Sequence, residues 1–135
     1  MDGTQAIADL TEISSQIESV VLLDGKSAVA GSTFADDAAA TRFAEAAKAL
    51  LEAAEALREG GEPLTQLEAE TPEGSVFVFR EGDRLIAATT VPDPTVGLVF
   101  YDLKSALRAA EDTKPKRKPR ARAPKKATKA EKDDA

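Results

Sequence analysis

Lys26 stands between Gly25 and Ser27, and Gly-Lys-Ser is the ending of a phosphate-binding loop. Such a loop needs another glycine five positions earlier, so that backbone N–H groups can cradle phosphates at the start of a helix. Val20 occupies that position, and the surrounding pattern is a hairpin rather than a strand-to-helix turn, so no nucleotide site is expected here. Glu68 and Glu70 share one face of a strand pattern, and Asp36 and Asp37 are adjacent. Paired carboxylates do acid–base work when one of them sits in a desolvated pocket that raises its pKa. Nothing in the neighbouring sequence builds such a pocket, and the expectation is a solvated strand face and an acidic helix N-terminus. The chain contains no histidine, cysteine or tryptophan. That excludes disulfides, cysteine-ligated zinc and any Ser-His or Cys-His pair. No catalytic residue, metal or cofactor is therefore expected, and an enzyme of unrecognised type stays open as a third reading, one that would show itself as turnover lost on removing a single carboxylate.

Charge is divided sharply along the chain. Residues 1–112 carry 8 Lys or Arg against 21 Asp or Glu, a net of −13, and residues 113–135 carry 10 against 3, a net of +7. From Thr113 onward the sequence is mostly Lys, Arg, Pro and Ala without an aromatic residue, a composition expected to stay disordered because it cannot offset the entropy of ordering. Two units follow: a folded domain over 1–112 and a basic tail over 113–135. Lys114, Lys116, Arg117, Lys118, Arg120, Arg122, Lys125, Lys126 and Lys129 are candidates for neutralising phosphates of nucleic acid or another polyanion. The same charges could instead bind the acidic body or an acidic partner protein. A solubilising or polybasic membrane-surface segment is the third reading, and without an apolar anchor the membrane attachment would be weak. No run of about 18 apolar residues is present and the start Met1-Asp2-Gly3-Thr4 is acidic, so a cytoplasmic location is expected.

The elements that must position these groups are legible from periodicity. Ile7, Leu10 and Ile13 mark one face of a short helix, and Ile17–Leu23 reads as a strand turned back by Asp24-Gly25 into a weaker strand near Ala28–Gly31. Thr33, with Asp36 three residues on, predicts the N-cap of a long helix running to about Arg58, where Gly60-Gly61 and Pro63 stop it. Leu64–Glu70 alternates, Val76–Arg80 is apolar almost throughout, and Arg84–Val91 supplies a further strand. Thr71-Pro72-Glu73-Gly74 and Glu81-Gly82-Asp83 carry hairpin turn chemistry. Asp93-Pro94 offers an N-cap and first-turn proline for a last helix whose apolar positions are Val96, Val99, Phe100, Leu103, Leu107 and Ala110.

This order, the alanine-rich central helix, and the run from Pro63-Leu64-Thr65-Gln66-Leu67 to Val91-Pro92-Asp93-Pro94-Thr95-Val96-Gly97-Leu98-Val99 resemble the roadblock family. That family includes the dynein roadblock light chains and the bacterial MglB-type regulators of Ras-like GTPases. The resemblance covers roughly Ile7 to Ala110, with a first helix and second strand that are short and polar for the family. It implies an α+β fold of three α/β/α layers around a five-stranded, mainly antiparallel sheet. It also implies a homodimeric adaptor that binds a Ras-like GTPase and favours hydrolysis by reshaping the partner's own site, without an inserted arginine finger. The competing reading is a polyanion-binding protein in which the folded unit dimerises and doubles the tail.

Within the long helix, Phe43, Ala47, Leu50, Ala54 and Leu57 follow steps of four and three and are expected to lie on the sheet. A second stripe, Ala39, Ala46, Ala49, Ala53 and Ala56, is almost free of bulk. Helix propensity alone could account for it, but small side chains also let two helices approach closely. The resemblance implies a dimer through this helix and the strand after it, making Leu64, Gln66 and Glu68 candidates alongside the five alanines.

Overall fold

A computed structural model of the chain describes residues 2–58 and 60–111. Three helices and five strands follow in the order α1 (Gly3–Ile13), β1 (Ile17–Leu23), β2 (Val29–Ser32), α2 (Asp37–Glu55), β3 (Gln66–Thr71), β4 (Gly74–Glu81), β5 (Arg84–Thr90) and α3 (Val96–Glu111). The strands form one antiparallel sheet ordered β2-β1-β5-β4-β3. This is the α+β architecture and element order expected from the sequence.

Strand alternation divides the core in two. Val20, Leu22, Phe77, Phe79, Ile86 and Ala88 point to the face covered by α1 and α3, where they meet Ile7, Leu10, Val99, Leu103 and Leu107. Val21, Leu23, Val78, Leu85 and Ala87 point to the other face and meet Ala40, Ala44, Ala47 and Leu51 of α2. β1, β4 and β5 are apolar on both faces because both are covered. Phe77 and Phe100 meet edge to face, with ring centroids 4.9 Å apart.

The N-terminal edge, short and polar though it is, is held by backbone proximity. A Cβ on Gly31 of β2 would stand 2.5 Å from the Gly3 carbonyl oxygen, and one on Gly3 would collide with the Ala30 carbonyl. Two glycines facing each other let α1 lie directly on β2. At the opposite end of the first layer, the buried Arg84 donates through Nη2 to the Leu107 carbonyl at 2.8 Å. That cation lies where the last turn of α3 carries partial negative charge.

Several local expectations are corrected. The buried face of α2 is Ala40, Ala44, Ala47 and Leu51, so Leu50 (38% exposed) and Leu57 (85%) do not lie on the sheet. Strands carrying Val and Leu leave room only for small helix side chains at close approach, and the Ala-rich face wins that position. Asp36, not Thr33, caps α2, accepting from the Ala39 N–H at 2.7 Å. Thr33 extends the β1–β2 pairing instead, donating its N–H to the Val20 carbonyl and accepting the Val20 N–H on its hydroxyl. The β1–β2 turn is not the type I′ hairpin that Asp24-Gly25 suggests, because the positive φ falls on Ser27 and not on those residues. Asp93 also has positive φ (54°), unlike an N-cap, and α3 begins at Val96 with Thr95 supplying the first carbonyl, bonded to the Val99 N–H. Ile13, at the end of α1, is 74% exposed instead of buried.

Candidate functional site

The chemical lookalikes resolve into structural roles. In the loop holding Gly25-Lys26-Ser27, the Asp24 carboxylate accepts N–H bonds from Lys26 and Ala28 at 2.8 and 3.1 Å. Backbone donors that a phosphate would need are thus already occupied by an acid. Asp36 is a helix cap, and Asp37 begins α2. Gln66 and Glu70 are exposed, and half-buried Glu68 accepts a long, 3.5 Å hydrogen bond from Ser75 Oγ. Among the described residues no group of acidic side chains is arranged to hold a metal ion. Nor is any helix among them long and apolar enough to cross a membrane.

What stands out is an uncovered surface along α2 and β3. Ala39, Ala46, Leu50 and Ala53 are related by helical steps of seven, four and three, so they share one flank of α2, and Leu57 follows in the turn just past its end. Ala46, Leu50, Ala53 and Leu57 are exposed and Ala39 is half-buried, while Ala49 and Ala56 lie further round, on the outermost face. Thr41 and Lys48, on the opposite flank, line a hollow with Leu23, Ser27 and Val29 on the β1–β2 side. The apolar flank therefore looks toward the other end of the sheet, where β3 is the terminal strand. An edge strand presents backbone N–H and C=O groups that can pair with another chain.

A hydrogen-bonded clamp sets the angle between these two elements. Glu55, at the end of α2, accepts the Leu64 N–H at 2.8 Å and pairs with Arg80 Nη2 at 2.7 Å. The same Arg80 nitrogen donates to the Leu64 carbonyl at 2.6 Å. The Leu64 N–H, and then the Arg80 guanidinium, hold the Glu55 carboxyl below its ordinary pKa. Leu64 itself packs partly into the core beneath α2, with Leu67.

The structure splits the strand residues singled out from the sequence. Gln66 and Glu68 are paired with Phe79 and Phe77, so their side chains lie on the α3 side of the sheet. Leu67 and Ala69, paired with Val78 and Val76, lie on the α2 side beside the exposed flank. Sequence reasoning missed Leu50 and Leu57 as surface residues because it placed them in the core. The competing Ala40-Ala44-Ala47-Leu51 periodicity was the signal that separates the two faces. The nine basic tail residues, Lys114 to Lys129, lie outside the described residues.

An antiparallel sheet of this order between one long helix and a pair of helices, with a free third strand, is the roadblock fold. The chain is similar to the roadblock/LC7 domain from Streptomyces avermitilis, at 18% identity and a TM-score of 0.69 over 80% of this chain and 93% of that one. It is also similar to MglB from Myxococcus xanthus, at 17% identity and a TM-score of 0.56 over 84% and 87% of the two chains. The gliding protein MglB from Thermus thermophilus matches at 19% identity and a TM-score of 0.54 over 82% and 93%. No protein-family model and no curated protein sequence matches the chain.

Proposed function

We propose that this protein is a non-enzymatic homodimeric adaptor that binds a small Ras-like GTPase and modulates its nucleotide cycle. The observation that carries the reading is the exposed Ala46-Leu50-Ala53-Leu57 flank beside the free edge of β3. A two-fold axis there would bury the leucines of both protomers and join two sheets edge to edge. The GTPase partner rests on the resemblance to MglB-type regulators, whose fold this chain shares. Regulation further requires that the dimer bind the GTP and GDP states of the partner with different affinity.

The test is affinity capture from nuclease-treated native lysate, loaded with GDP or a non-hydrolysable GTP analogue, using the full chain and a chain ending at Asp112. A Ras-like GTPase held by both proteins and favoured by one nucleotide state is the expected result. Capture confined to nucleoid or ribosomal material, and lost with the tail, would replace this reading with a dimeric polyanion tether. A GTPase bound equally in both states would leave only a scaffold.

A further inference from the structure

On the opposite side of the sheet from α2, helices α1 and α3 leave an open groove of about 350 Å³. Leu10, Ala106 and Ala109 help form its apolar lining, and Ile13 and Tyr101 flank it, 74% and 67% exposed. Such a concentration of exposed large apolar side chains is a mark of an interaction surface. Two carboxylates, Asp9 and Asp102, also line the groove. Asp9 accepts only a hydrogen bond from Gln5, and neither acid forms an ion pair among the described residues. The nearby cations are engaged elsewhere: Arg108 with Glu81, and Lys104 over the Phe79 ring. Partial burial raises the Asp102 pKa above its ordinary value.

We propose that this groove is the docking site of the chain's own basic segment, with the first cations after α3, Lys114 to Arg122, lying against Asp9, Asp102 and Tyr101. Three observations favour this occupant. α3 ends at Glu111, and Ala109 already lines the groove, so the basic segment starts at its mouth. From the end of α3 at Glu111 back to Asp102 is about 14 Å along the helix axis, which about five extended residues span at about 3.3 Å each. The charges are complementary, a body of net −13 joined to a segment of net +7. The composition also fits: Lys and Arg stems cover apolar surface while their heads reach carboxylates, and an exposed tyrosine ring accepts a cation over its face.

Docking through a short tether works at an effective concentration near millimolar, so even millimolar intrinsic affinity fills about half of the grooves. Added nucleic acid or another polyanion would compete for the same cations, and salt would weaken the contact.

Tyr101 is the sole tyrosine of a chain without tryptophan, so its fluorescence reports on the groove directly. The experiment compares acrylamide quenching of the full chain and of the chain ending at Asp112, at low and at high salt. The expected result is quenching about twofold weaker in the full chain at low salt, as half-occupancy or better requires. High salt and the double substitution Asp9→Asn/Asp102→Asn should both abolish the difference. Carbodiimide coupling read by mass spectrometry gives a second measurement, with Lys114, Lys116 or Lys118 joined to Asp9 or Asp102. Equal quenching of the two chains at low salt, without those cross-links, overturns the proposal. Protection that survives the double substitution overturns it as well. Protection that depends on added nucleic acid would assign the groove to a different occupant and likewise overturn it.

Discussion

Ala53→Glu tests the proposed dimer face most directly. Ala53 is exposed on the flank between Leu50 and Leu57, so in an isolated protomer the new carboxylate points into water. Its cost to the fold is then only a difference in helix propensity, under about 0.7 kcal/mol. In a two-fold dimer the substitution enters twice, near the axis. An unpaired carboxylate removed from water costs several kcal/mol. Taking about 2 kcal/mol per protomer as a low figure, the loss is about 4 kcal/mol, a factor of about 1,000 in dissociation constant. Leu57, at 85% exposure, and Leu50, at 38%, would lose burial worth up to about 2 kcal/mol each when the interface opens. Sedimentation equilibrium over about 0.1 to 100 μM, a range as wide as the thousandfold shift, should show a mainly dimeric parent and a mainly monomeric variant at the same intermediate concentration. Thermal melts by circular dichroism should confirm that both are folded. Thr41→Glu, on the other flank of α2, is the control and should remain dimeric. An Ala53→Glu protein that associates as tightly as the parent would refute the reasoning. So would one that fails to fold, since that would mean Ala53 is part of the core.

The same helix phase predicts that Leu51→Ala, at a fully buried position on the sheet-facing side of α2, costs about 3 kcal/mol in urea unfolding of the monomeric background, whereas Leu57→Ala there costs less than about 0.5 kcal/mol. Gly31→Ala should destabilise by about 1 to 3 kcal/mol, because its Cβ meets the Gly3 carbonyl; an unchanged melt would mean that α1 is free to move away. Glu55 has a folded pKa below its ordinary value of 4.5, so it stabilises the fold above that pH and the contribution is lost as pH falls through the folded pKa. Glu55→Gln should therefore lower the urea midpoint at pH 7, and the difference from the parent should shrink steadily below pH 4.5; a difference constant with pH would contradict the role of the charge.

The strands were legible because two signals agreed at each one. Val76-Phe77-Val78-Phe79 reads as covered on both faces, and β4 lies between β3 and β5 with a core on either side. The glycines at 74 and 82 marked turns that close two neighbouring hairpins. The phase of α2 was not legible because bulk is a poor guide where alanine does the packing. Phe43, Leu50 and Leu57 look like a core stripe, yet of the three only Phe43 packs partly against the core, and the helix lies close to a Val- and Leu-bearing sheet on Ala40, Ala44 and Ala47. Thr33 and Asp93 failed for a different reason. Both carry the right side chain for a cap, but Thr33 was claimed by a long-range pairing with Val20, and Asp93 by a turn of positive φ. Nor could sequence alone bring Asp9 and Asp102 together, since their neighbourhood depends on α1 and α3 lying side by side.

The two uncovered surfaces lie on opposite sides of one sheet, and that separation has a measurable consequence. Residues such as Val20, Val21, Phe77 and Val78 are fully buried and alternate between the two cores, leaving a packed layer between the α2 flank and the α1–α3 groove. Packed layers transmit a signal only where two discrete arrangements exist. β5 is paired with β1 from Ser19 to Leu23 and with β4 from Val76 to Glu81, a register irregularity lying at the Ile17 end of β1, so the middle of the sheet is one hydrogen-bonded layer. Dimerisation and occupancy of the groove should then be energetically independent. Combining Ala53→Glu with Asp9→Asn/Asp102→Asn should give the sum of the separate effects on self-association to within about 0.5 kcal/mol, as for distant sites without shared partners. Coupling well beyond that would mean that the basic segment reaches across the dimer into the partner's groove, a contact made only in the assembled protein, and its signature would be tyrosine protection that rises with protein concentration.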